Sequence, residues 1–218
     1  GLRVSGVESF TVRPRATTDG TDLAADLALV TVKAFDTATA AEALRTGAVG
    51  AVCSLQNGMG NEAVLEARLD CPVLGGTTSY GAVREGPGEV VWNGAGDLVV
   101  GPWEPRGAGD VAADLVDAMR AAGIDAERVD ADGIRARLWR KLAVNAAINP
   151  TTALARIDNG GLGAPPAAAL VEPIAGEVAR TAQAAGVDLT ATAAAGAIER
   201  VVGATAGHES SMRQDVPR

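Results

Sequence analysis

The chain has 218 residues, a formal net charge of −8 and an isoelectric point near 4.7. That balance argues against a nucleic-acid partner, which needs a basic patch. No apolar run is long enough to cross a membrane, and no signal peptide is expected.

The first elements follow from pattern. Leu2-Arg3-Val4-Ser5 and Ser9 to Arg13 alternate about Gly6, which predicts a hairpin. A polar loop covers residues 17–22. Leu27 to Lys33 is an apolar run ending in a charge, as in a strand of a parallel sheet covered on both faces. A helix is expected from Asp36 to Leu44, a second buried strand from Ala48 to Gln56, a turn at Asn57–Gly60 and a helix from Asn61 to Leu69. This is βαβ grammar, in which ligands bind beyond the carboxyl ends of the strands. Lys33 and Asn57 fall there, although Asn57-Gly58 is also an ordinary turn dipeptide. Gly58-Met59-Gly60 and Ala63 imitate the dinucleotide fingerprint, with Ala at the third glycine position and no clear ribose-binding acid beyond.

Three strand-like runs come next, Val73–Tyr80, Gly88–Asn93 and Asp97–Pro102, more antiparallel in character. An amphipathic helix (Asp110–Ala122) and a short strand (Ile124–Val129) follow. Beyond residue 130 the pattern is helical: Ile134–Asn149, Pro166–Ala185 and Thr190–Gly203. The expected organisation is therefore an α/β Rossmann-like domain over residues 1–130 and an all-α domain over 131–218. Two cysteines, Cys53 and Cys71, suggest no disulfide framework and a reducing cytoplasm. No metal site is expected.

Residues Leu138–Pro150 carry the sharpest signal. Lys141, Asn145 and Asn149 recur every four residues, so they form one slowly drifting stripe on a helix that is otherwise apolar. Buried polar groups are costly unless paired, and a small polar ligand along that face would pair them. The plainer alternative is that the asparagines tie helices together and Lys141 snorkels to water. Of 19 basic residues only Lys33 and Lys141 are lysine. An ammonium can give up a proton where a guanidinium cannot, so these two are candidates for acid–base chemistry.

Four segments together resemble the ketopantoate reductase (2-dehydropantoate 2-reductase) family: Leu29–Lys33, Gln56–Gly60, Leu138–Pro150 and Ser210–Asp215. The resemblance covers essentially the whole chain. It implies an oxidoreductase of pantothenate and coenzyme A biosynthesis that reduces ketopantoate to (R)-pantoate with NADPH, NADH being the alternative. Carried over by position, Lys141 is the proton donor. Asn57, Asn145, Asn149, Asn159 and Ser211 are substrate contacts. Lys33, Asn57 and the backbone near Ala82 are cofactor contacts. His208, the one histidine, is read as a solvent-facing residue of the last helix. The family's first strand, glycine-rich loop and first helix are expected to precede Gly1, and its later glutamate to follow Arg218. The implied partner is a small 2-oxo acid; a homodimer stays open. Two other readings stand beside this one: a reductase of another branched 2-oxo acid, and a non-catalytic ligand-binding protein on the same scaffold.

Overall fold

A computed structural model describes residues 1–20, 23–104 and 108–216, so the polar loop at 17–22 lies partly outside the described residues. The chain divides into two compact units, Gly1–Ile134 and Arg135–Arg218.

The first unit is built on a five-stranded sheet. Its members are β4 (Ala28–Val30), β6 (Val52–Ser54), β7 (Val73–Thr78), β10 (Leu98–Pro102) and β11 (Ala126–Arg128), in the order β11-β10-β7-β6-β4. The strands β4, β6 and β7 run parallel; β10 opposes β7, and β11 is parallel to β10. Successive residues of a strand point to opposite faces, and both faces are covered. Cys53 and Leu74 pack with α3 (Ala108–Ala121) through Leu115 and Val116. Their neighbours Val52 and Val73 pack on the other side with Ala41 of α1 (Thr37–Arg45) and Leu65 of α2 (Asn61–Glu66). This double covering explains why the strands read as continuous apolar runs.

Three details depart from the sequence reading. The run Ala48–Gln56 is two strands, because the chain bends at Gly50. There β5 (Ala48–Val49) pairs with β3 (Ala24–Ala25), and only β6 enters the main sheet. A Cβ at Gly50 would stand 2.7 Å from the Asp26 carbonyl oxygen, so the close approach requires glycine. The expected strand Leu27–Lys33 keeps only Ala28–Val30, and a 3₁₀ turn begins at Ala34. A strand was also missed. β8 (Gly81–Gly86) pairs with β9 (Glu89–Gly94), which joins β1 (Leu2–Gly6) and β2 (Phe10–Val12) in a second sheet. Its charged Arg84 and Glu85 and flanking glycines hide it, since this sheet is largely exposed. The hairpin of β1 and β2 is as expected.

In the second unit, α4 (Ala131–Ala155, its first turn within the first unit), α5 (Val171–Ala184) and α6 (Ala191–Ala204) surround one apolar core, and α7 (Ser211–Asp215) closes the described chain. Ala143, Ala147 and Ile148 meet Ala175 and Val178 of α5 and Ala194 and Ile198 of α6. Small residues let these helices approach closely. The helix α4 does not stop before Pro150 as expected but runs on to Ala155. Proline removes one donor, so the Ala146 carbonyl loses its intrahelical partner. Burial of Ile148 and Thr152 on either side carries the helix past it.

Candidate active site

In the first unit, three predicted positions follow the carboxyl ends of the three parallel strands. Lys33 stands three residues beyond β4, Asn57 three beyond β6, and Ala82 four beyond β7. β4 and β6 end level, with Val30 opposite Ser54, so Lys33 and Asn57 leave the sheet side by side. All three residues are exposed. Ala82 lies in β8 opposite Trp92, at a register shift.

The turn carrying Asn57 is held from beneath by groups that sequence reasoning passed over. The Gln56 amide nitrogen donates to the Val32 carbonyl and to the Thr37 hydroxyl, both at 2.8 Å. The Thr37 hydroxyl lies 2.8 Å from the Ala34 carbonyl and 3.0 Å from Asn61 Oδ1, which share its single proton. Asn61 Nδ2 reaches back to the Asn57 carbonyl at 3.3 Å. Gln56, Thr37 and Asn61 are buried. Buried polar groups that satisfy one another fix a unique geometry. This network joins the loop after β4, the start of α1, the turn after β6 and the start of α2. Gly58 and Gly60 take left-handed φ values of 98° and 89°, and nothing lies within 4 Å of a Cβ built on Gly60. The backbone of the turn is therefore open to a ligand.

In the second unit, Lys141, Asn145 and Asn149 are all half-buried on one side of α4. At about 100° per residue, the fully buried Ala143 and Ala147 fall roughly opposite. Buried Leu138 and Ile148 fall beside the stripe as well, so it runs along a partly covered face. Thr152 extends it, because eleven residues make about three turns; that spacing was a signal available in the sequence. The Thr152 hydroxyl donates back to the Ile148 carbonyl at 2.8 Å and meets the Ser210 hydroxyl at 2.7 Å. Ser210, also buried, accepts from the Arg213 amide at 3.2 Å and so caps α7. Its neighbour Ser211 is exposed. Ser210 is structural and leaves Ser211 as the available hydroxyl.

Asn159 is placed differently from the other amides. It is buried, its Nδ2 donates to Thr205 Oγ1 at 2.9 Å, and its backbone N–H donates to the His208 carbonyl at 3.0 Å. Its Oδ1 is buried without a hydrogen-bond partner among the described residues. Arg213 adds a 2.7 Å ion pair to Asp158 and a 3.1 Å pair to Glu209. The Asn159 loop and the segment 205–213 are thereby strapped together. His208 is exposed as expected, but in the turn between α6 and α7 rather than on a helix.

Chemically, the first unit offers a cation, an amide and an open glycine turn at the strand ends. The second offers an ammonium in line with two carboxamides, and a hydroxyl at the start of α7. Among the described residues no group of three or more His, Cys, Asp or Glu could hold a metal ion. No described helix is long and apolar enough to cross a membrane.

Comparison with known proteins identifies the family. Residues 1–105 match the family model for ketopantoate reductase PanE/ApbA, and residues 133–218 match that family's C-terminal model. A 2-dehydropantoate 2-reductase from Archaeoglobus fulgidus is 41% identical over 223 residues, covering 100% of this chain and 71% of the relative. One from Halobacterium salinarum is 42% identical over 222 residues, covering 99% and 72%. The crystal structure of a PanE/ApbA family ketopantoate reductase from Ralstonia eutropha JMP134 superposes with a TM-score of 0.86 at 32% identity, covering 99% of this chain and 71% of that one. The chain, with its α/β unit followed by a helical unit, belongs to the ketopantoate reductase PanE/ApbA family.

Proposed function

We propose that this protein reduces 2-dehydropantoate to (R)-pantoate at the expense of NADPH, a step of pantothenate and coenzyme A biosynthesis in the cytoplasm. The observation that carries the reading is the half-buried line of Lys141, Asn145 and Asn149 on α4, in a chain whose relatives are 2-dehydropantoate 2-reductases.

The nucleotide falls to the first unit. Its fit rests on the open turn at Gly58–Gly60 and on the exposed Lys33 and Asn57 at the ends of adjacent parallel strands. Lys33 supplies positive charge to a phosphate group, Asn57 an amide, and the backbone near Ala82 a further contact. When bound, the reduced nicotinamide supplies the hydride. The keto acid falls to the second unit. Asn145 and Asn149 orient its hydroxyl end, and Ser211 binds its carboxylate. Asn159 is a further substrate contact on the loop after α4. As C2 of the keto acid gains hydride, the carbonyl electron pair moves onto oxygen. The Lys141 ammonium donates a hydrogen bond to that oxygen, stabilises the charge and transfers its proton.

The test is reduction in vitro. Purified protein with 2-dehydropantoate and NADPH is expected to oxidise the nucleotide and yield (R)-pantoate one for one. Faster turnover of a different branched 2-oxo acid would move the assignment to that acid. No substrate-dependent oxidation with any 2-oxo acid would sink the reductase reading. Fluorescence titration with NADPH against NADH decides the nucleotide.

A further inference from the structure

Beneath the Asn57 turn lies a carboxyl group that the proposed reaction does not use. Glu62, in the first turn of α2, is fully buried. Neither of its carboxylate oxygens has a hydrogen-bond partner among the described residues. An ionised carboxylate so placed carries a heavy desolvation penalty. The elements packed around α2 bring it no compensating positive charge. On α1 the charged side chains are Glu42 and Arg45, both exposed and bonded to each other at 2.9 Å. β7 has no titratable residue. β6 contributes Cys53, whose thiol is pushed up to about 12 by its own burial and then by Glu62. On α2 itself the other acid, Glu66, is exposed.

We propose that Glu62 is a positioning residue that works as an uncharged acid: protonated, it keeps the Gln56–Thr37–Asn61 network closed beneath Asn57–Gly60, and ionised, it opens that turn. The reason is competition for donors. A carboxylate only accepts, and the side-chain donor nearest to it, the Ser54 hydroxyl, belongs to the network that already holds the turn. Ser54 Oγ bonds Gln56 Oε1 at 3.4 Å, Gln56 Nε2 bonds Thr37 and Val32, and Asn61 Nδ2 bonds the Asn57 carbonyl. A bare negative charge at Glu62 draws in water or takes one of these donors, and Asn57 loses its support. Burial raises the Glu62 pKa above the ordinary glutamate value; its own backbone amide and the nearby Ser54 hydroxyl, neither in hydrogen-bond geometry with it, offset that rise only in part. The folded value lies above the unfolded one. The stability is therefore fully present below the ordinary glutamate range and is lost as pH rises through the folded value.

The part of this inference that concerns nucleotide binding rests on the reductase reading; the state of Glu62 does not. The first measurement is a carbon-13 NMR titration of the glutamate carboxyls in the full chain, with amide hydrogen exchange followed over the same pH range. Glu62 is expected to titrate above the ordinary glutamate range. Corrected for intrinsic rates, exchange at Asn57–Asn61 should quicken about ten-fold more than in α3 across that titration. Glu62→Gln, or Glu62→Met if the amide disturbs folding, should remove this extra pH dependence. Glu62 titrating in the ordinary glutamate range, or an unchanged pH profile in both variants, overturns the proposal. The second measurement is NADPH affinity against pH. It should weaken about ten-fold over that window in wild type and stay level in Glu62→Gln. Equal weakening in both overturns the positioning role. Absence of NADPH binding at every pH counts against the reductase reading, while titration and exchange still decide the state of Glu62.

Discussion

The stripe on α4 and the turn after β6 both present amide side chains, yet they are built on opposite plans. On α4 the polar residues of interest are half-buried, with buried Ala143 and Ala147 roughly opposite and buried Leu138 and Ile148 beside them. A rigid helix spaces them, and no separate scaffold is needed. At the turn, the exposed Asn57 carries no regular element of its own. Its position depends on buried polar residues, Gln56, Thr37 and Asn61, that bond to one another. One region positions groups by periodicity, the other by a closed hydrogen-bond network. Loss of a side chain should therefore change chemistry in the first region and folding stability in the second.

The largest expected effect is at Lys141. Lys141→Arg keeps the charge but removes the acid, so turnover should fall by about 10²–10⁴-fold while the Michaelis constant for the keto acid moves little. Steady-state kinetics check the split; near wild-type turnover would erase the contrast at its root. The turn should respond in stability instead. Thr37→Val leaves Gln56 and Asn61 buried with unmade bonds and should cost about 1–3 kcal/mol in urea unfolding. A stable variant would mean that the network is ornamental. Smaller again is Asn145→Ala, predicted to raise the Michaelis constant about ten-fold, roughly 1.4 kcal/mol, with unfolding free energy changed by less than about 0.5 kcal/mol. A larger loss of stability than of affinity would class Asn145 with the scaffold residues. Least of all, Arg213→Ala removes partly exposed ion pairs to Asp158 and Glu209 and should cost about 0.2–1 kcal/mol. That cost should shrink at high salt.

The same contrast explains what was legible in the sequence. Helical spacing is a local signal, so Lys141, Asn145 and Asn149 could be read from residue numbers alone. The strands β6 and β7 were legible because burial on both faces leaves continuous apolar runs. Thr37, Gln56 and Asn61 were not singled out, because they lie 19 and 24 residues apart and meet only when β4 and β6 pair. Glu62 stands in the first turn of α2, where an acid is ordinarily favourable; only the packing of α2 reveals that it is buried. β8 was hidden by its charges on an exposed sheet, and the helix beyond Pro150 by a local rule that tertiary packing overrides. Asn159 was read as a substrate contact, but no local pattern announces that its amide is bonded to Thr205.

The central claim is that the Lys141 ammonium delivers the proton, and chemical rescue tests it most directly. Lys141→Ala should be nearly inactive, and added methylammonium should restore turnover in proportion to its concentration, with related amines ranked by acidity. Absence of rescue by every small amine, together with full turnover in Lys141→Arg, would contradict the account.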